Sequence, residues 1–87
     1  MIKYTRHAEA KLKEIEPFLL KITKGKILKV VSHPIFVYHK VGNQFLAIGK
    51  LDRGRSLCVV YNEENNDRKI VTFFPAKKGR YESKILS

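Results

Sequence analysis

Apolar positions along this chain change period once, about a third of the way in. Ala8, Leu12 and Ile15 recur at helical spacing through Glu16, with Lys11, Lys13 and Glu14 on the remaining faces. That is the stripe of an amphipathic helix. Ile2-Lys3-Tyr4 reads as a short first strand. Thr5 is the expected N-cap, because its hydroxyl can accept from a first-turn N–H that has no helical partner. Pro17 ends this helix or opens the next. Phe18, Leu19 and Ile22 continue an apolar helical face, and Gly25 is expected to interrupt it. Ile27, Leu28, Val30 and Val31 form a dense cluster that satisfies helix and strand alike, and helix is the expectation.

Beyond Ser32-His33-Pro34 the pattern turns strand-like, since Pro34 biases His33 away from helix. Residues 35–40 and 45–51 read as strands joined at Gly42-Asn43. Asp52-Arg53-Gly54-Arg55 is a tight connection rich in turn residues. The runs 57–61 (Leu-Cys-Val-Val-Tyr) and 70–74 (Ile-Val-Thr-Phe-Phe) are apolar on both faces, which predicts central strands. A polar loop over 62–67 is expected between them, and Pro75 is expected to end the last. These connections are too short for crossover helices, so neighbours should pair antiparallel. The expected fold is a single α+β domain over 1–87 in the order β-α-α-β-β-β-β. Two helices pack on one face of an antiparallel sheet of about four strands. The tail, residues 77–87, adds a short helix or lies along the sheet.

With 87 residues, 44% hydrophobic and 30% charged, the chain holds one modest core. No apolar run approaches the roughly 18–20 residues that span a bilayer. No signal-peptide core follows the basic residues near Met1. A cytoplasmic protein with no membrane partner is expected. Eighteen Lys and Arg against eight Asp and Glu give +10. Such a field attracts polyanions: nucleic acid, an acidic protein or an anionic membrane. The membrane is the weakest of these, because the cations are spread over strands and loops rather than one helix face. The single Cys58 excludes an intrachain disulfide and reads as a small buried hydrophobe. There is no phosphate loop, dinucleotide fingerprint or HExxH. The spacing of His33 and His39 matches no zinc motif, so neither metal nor cofactor is implied.

Several short motifs carry a resemblance. Tyr4-Thr5-Arg6-His7-Ala8, Ser32-His33-Pro34, Val59-Val60-Tyr61 and Ile70-Val71-Thr72-Phe73-Phe74-Pro75 resemble an RHA…HP…VVY…VTxxP pattern in a set of small prokaryotic proteins. Those proteins are similar in layout to the RelE/ParE-like toxins and to BrnT, compact nucleases or translation inhibitors neutralised by antitoxins. The likeness covers nearly the whole chain, and its motifs are mostly structural. It implies a RelE-like fold and metal-free RNA cleavage, either by a free endoribonuclease or by a ribosome-dependent mRNA interferase. RNA, the ribosome and an acidic antitoxin are the implied partners.

Metal-free RNA cleavage needs a base for the 2′-hydroxyl, an acid for the leaving 5′-oxygen and cations around the phosphorus. Lys77, Lys78, Arg80 and Tyr81 form one cluster past the last strand. The resemblance puts an Arg and a late Tyr in this region, so Arg80 would clamp phosphate and Tyr81 would stack or move a proton. Arg53 and Arg55 flank Gly54 in a turn that can grip phosphate. Arg6 and His7 open the first helix, where an anion and an acid–base group are both favoured. Lys40 and His39 end a strand on opposite faces. The catalytic candidates are therefore Arg80, Tyr81, His7 and Arg53. The nucleic-acid-binding candidates are Arg6, Arg55, Lys40, Lys77 and Lys78. Each also has an ordinary reading as a solvated tail, turn or helix start. His33 reads as a break residue, and Lys11, Lys13, Lys21, Lys24, Lys26 and Lys29 as a solvated or docking face. Three functions fit: a toxin-like RNA-cleaving protein, a non-catalytic nucleic-acid-binding module, or a basic domain that docks an acidic partner.

Overall fold

A computed structural model describes residues 1–14 and 22–77. The elements are β1 (Ile2–Tyr4), α1 (Arg6–Lys13), α2 (Lys24–Ser32), β2 (Phe36–His39), β3 (Gln44–Lys50), β4 (Arg55–Glu64) and β5 (Asp67–Lys77). Thr5 caps α1: its Oγ1 accepts from Ala8 N at 3.2 Å and donates to Val71 O at 3.3 Å. The helix start is thereby tied to β5. Thr23 caps α2 in the same way, accepting from Lys26 N. Gly25 is the second residue of α2 rather than an interruption, because the cap and not the glycine decides where the helix begins. Ile27, Val30 and Val31 are buried at i, i+3 and i+4, which settles the ambiguous cluster as helix. Pro17 and its neighbours, residues 15–21, lie outside the described residues.

The sheet corrects the expectation of about four antiparallel strands. It has five strands in the order β1-β5-β4-β3-β2 and is mixed. β1 runs parallel to β5, with Ile2 opposite Arg68 and Tyr4 opposite Ile70. The short-connection argument constrained only strands that are consecutive in sequence. β1 reaches β5 across the whole chain, with both helices and strands β2 to β4 between them. The expected polar loop 62–67 is also mostly strand. β4 continues to Glu64 and β5 starts at Asp67, paired with it. Only Asn65 and Asn66 turn, with φ of 48° and 69°, as in a type I′ hairpin. Nor does Pro75 end β5, which runs on to Lys77. β5 borders β1 only over Arg68–Ile70, so at Pro75 its outer side is an edge and the missing N–H costs no ladder bond.

The helices cover one face of the sheet, over a core that includes Leu57, Val59, Ile70 and Phe73. The other face carries a second buried cluster, Leu46, Ile48, Cys58, Val60 and Ala76, with Phe74 packed against it. β4 is thus apolar on both sides, as its uninterrupted run predicts, and Cys58 is a fully buried hydrophobe. Gly49 lets α2 settle onto β3: a Cβ there would lie 2.8 Å from Val30 Cγ2. Lys11 is not a solvated residue. Its ammonium donates to the Phe73 carbonyl and to Thr72 Oγ1, and sits 5.3 Å from the Phe73 ring centre. Burial lowers its pKa. With Thr5 on the Val71 carbonyl, Lys11 covers the part of the β5 edge that β1 leaves open. No helix among the described residues is long and apolar enough to cross a membrane.

Candidate nucleic-acid interface

The β3–β4 connection is built around one carboxylate. Asp52 Oδ1 accepts from Gly54 N at 3.0 Å, and Oδ2 accepts from Arg55 Nε at 3.0 Å and Nη2 at 2.8 Å. The fork geometry fixes the guanidinium as well as the turn. These hydrogen bonds from Arg55 hold the Asp52 carboxyl below the usual carboxylate range. Leu51 N and Asp52 N both donate to Arg55 O, closing the loop.

Register then gathers cations at this end of the sheet. Arg55 stands opposite Lys77 across β4 and β5, and Lys50 stands opposite Ser56 across β3 and β4. Arg53 is exposed in the turn. From α2, Lys26 Nζ reaches Leu51 O at 3.4 Å. Between α2 and β3 a groove of about 500 Å³ opens beside the same turn, lined by Lys26, Lys29, His33 and Lys50 together with Ile35 and Gly49. The stretch 17–51, which supplies α2, β2 and β3, contains no Asp or Glu. Arg55 and Lys77 alternate onto the helix-covered face with Leu57 and Phe73, whereas Lys50 pairs with Ser56 in phase with Cys58. This end of the sheet is cationic and suited to a phosphate backbone or another polyanion. Among the described residues no group of three or more His, Cys, Asp or Glu is placed to hold a metal ion.

No protein-family model matches the sequence, and no curated protein matches it. Among solved structures, the crystal structure of the isolated E. coli RelE toxin in its P21 form is similar, with a TM-score of 0.56 at 12% identity. The match covers 99% of this chain and 94% of that one. The fold is RelE-like.

On this RelE-like scaffold the candidate residues separate. Arg55 and Lys77 are brought together, with Arg53 at the neighbouring turn. Arg6 and His7 are exposed at the start of α1, which is anchored at Ile70 and Val71. That is about 20 Å along β5 from Lys77, at some 3.3 Å per residue. Lys40 bonds to Gln44 at the far end of β3, about 20 Å from Lys50 by the same measure. His39 belongs to that hairpin: its Nε2 lies 2.7 Å from Gly42 O, and its ring sits 4.9 Å from Phe45. Lys78, Arg80 and Tyr81 lie outside the described residues. Tyr61 is core, stacked on Phe45 and beneath the Arg68 guanidinium, and burial raises the pKa of its phenol. Sequence reasoning passed over Lys50, and it read Lys26, Lys29 and His33 as a surface face and a helix break. The signal that could have found them is the acid-free run 17–51, in which lysines recur with no carboxylate to neutralise them.

Proposed function

We propose that this chain is a toxin-like RNA-cleaving protein of a toxin–antitoxin system, acting without metal on free RNA or on mRNA at the ribosome. The observation that carries the reading is the RelE-like architecture over 99% of the chain, with cations gathered at one end of its sheet. In the proposed reaction Arg55 and Lys77, paired on one face, surround a phosphate with Arg53 of the neighbouring turn. A base takes the proton of the 2′-hydroxyl, and the 2′-oxygen attacks phosphorus. The bond to the 5′-oxygen breaks, and an acid protonates that oxygen. The cations stabilise the negative charge that builds on the phosphorane. Tyr81 is the proposed proton-transfer group and Arg80 the proposed clamp. They follow Lys77 by four and three residues in the sequence.

The test is cleavage in EDTA, with naked RNA and with translating ribosomes. Wild type is compared with Arg55→Ala, Lys77→Ala and an Arg80→Ala, Tyr81→Ala double variant. Cleavage by wild type is expected, with the double variant slower by about 10²–10⁴-fold, the usual worth of positioned proton transfer. Equal rates for wild type and the double variant would remove Arg80 and Tyr81 from the mechanism. One observation favours a second reading: the Arg55 guanidinium is already engaged by Asp52. A surface whose remaining cations are mostly lysines suits non-catalytic binding of nucleic acid or of an acidic partner. Salt-sensitive binding without cleavage under either condition would establish it.

A further inference from the structure

One side of α2 carries charge that nothing answers. Lys26, Lys29 and His33 stand at i, i+3 and i+7, along one stripe of the helix and its C-cap. All three line the groove against β3. Lys26 Nζ reaches Leu51 O at 3.4 Å, and among the described residues none of the three makes an ion pair. Like charges one helical turn apart repel, and no acid in 17–51 offsets them. Beside them the lining is apolar. Val30 meets Gly49 at the floor, Leu51 is buried, and Ile35 at the rim is 59% exposed. The groove is also short. The Lys26–Leu51 contact bounds it at one end, and the 2.8 Å bond from Ile35 N to Ile48 O bounds it at the other. Lys26 and His33 lie about 10 Å apart along the helix axis, at roughly 1.5 Å per residue.

We propose that this groove binds a small phosphorylated nucleoside, with its phosphates on Lys26, Lys29 and His33 and its ring against Ile35, Val30 and Leu51. Charge and shape choose this ligand together. Cations repeated along one stripe call for more than one negative charge, as a diphosphate carries. The exposed Ile35 calls for a flat apolar body, which inorganic phosphate lacks. A volume of about 500 Å³ suits a small molecule. A strand of RNA has to enter and leave, whereas contacts between α2 and β3 bound this groove at both ends. The ligand also relieves the repulsion along α2, so its binding adds to stability. The proposed cleavage uses Arg53, Arg55 and Lys77 and not this groove. The inference stands whether or not the chain cuts RNA.

The test uses the full chain, with adenosine diphosphate, adenosine and inorganic pyrophosphate as probes at one ionic strength. Calorimetry gives the affinities, and amide shifts give the place. Adenosine diphosphate is expected to bind, to shift the amides of Lys29, Val30 and Ile35, and to raise the thermal midpoint. Adenosine and pyrophosphate should each bind more weakly by about tenfold or more. Lys29→Ala should weaken adenosine diphosphate and pyrophosphate alike by about tenfold. Ile35→Ser should weaken adenosine diphosphate by a similar factor and leave pyrophosphate unchanged. Both side chains are exposed, so neither variant threatens the fold. Lys69→Ala removes an exposed charge from β5 and should change nothing. An equal loss with Lys69→Ala would mean diffuse attraction and would overturn the inference. Absence of binding, or amide shifts confined to other surfaces, would overturn it as well. So would pyrophosphate binding as tightly as adenosine diphosphate, since the apolar wall would then have no part.

Discussion

Gly49 sets how closely α2 approaches the sheet, because any Cβ there collides with Val30. Gly49→Ala should destabilise the fold by about 1–3 kcal/mol, the usual cost of overpacking. Adding Val30→Ala should recover part of that loss, and urea unfolding of the single and double variants measures the coupling. Nothing local in Ile48-Gly49-Lys50 announces this, since the constraint comes from a helix nearly twenty residues earlier. Asp52 and Asp67 make a second residue-level prediction. Hydrogen bonds from Arg55 and from Lys3, respectively, hold their carboxyls below the ordinary range. A carboxyl whose folded pKa is depressed adds stability above its unfolded pKa and loses it as pH falls through the folded one. Asp52→Asn, Asp67→Asn should therefore be less stable than wild type at pH 7. The two should converge on acidification, as read from urea midpoints across pH. A gap that persisted at the acid end would assign the loss to packing instead. By contrast, Cys58 was legible as core from its uninterrupted apolar run, because burial on both sides of a strand leaves that mark directly in sequence, whereas the run 70–74 did not say which of Phe73 and Phe74 is the more deeply buried.

At the level of elements, the helices and strands were legible where apolar period or capping chemistry is local. Thr5 is one case and the 57–61 run another. They were not legible where pairing supplies the structure. Asn62, Glu63 and Glu64 look like loop, yet they are strand because Lys69, Arg68 and Asp67 stand opposite them. The hairpin then depends on two asparagines in the left-handed region. Asn66→Gly relieves the Cβ penalty at φ 69° and should stabilise the protein by up to about 1 kcal/mol. Asn66→Val should destabilise it by a similar amount. Thermal midpoints of the pair check this, and an inverted order would refute the turn assignment. β1 was legible as a strand but not as a parallel neighbour of β5. Only the whole topology decides that.

For the molecule as a whole, layout was legible from a handful of motifs, whereas the site was legible only in part. The turn arginines and Lys77 were visible in the sequence, but bringing Arg55 opposite Lys77 takes the β4–β5 register. Lys26 and Lys50 join them only through packing. If Arg53, Lys77, Lys26, Lys29 and Lys50 each meet a phosphate, log K for single-stranded RNA should fall against log salt with a slope of about −3.5. Lys50→Ala should reduce that slope by about 0.7 and Lys40→Ala should leave it unchanged. Equal effects of the two in an anisotropy titration would mean diffuse attraction rather than a defined path. The parallel pairing of β1 with β5 has a consequence for how the protein is made. Thr5 bonds to Val71, 66 residues later, so the strand synthesised first finds its place last. A nascent chain that stops at Glu64 has no β5, and α1 has neither the Val71 carbonyl nor the Phe73 ring to rest on. The sheet can close only after Lys77 has cleared the exit tunnel. A chain cut before β5 therefore leaves β1 and the start of α1 with nothing to dock on.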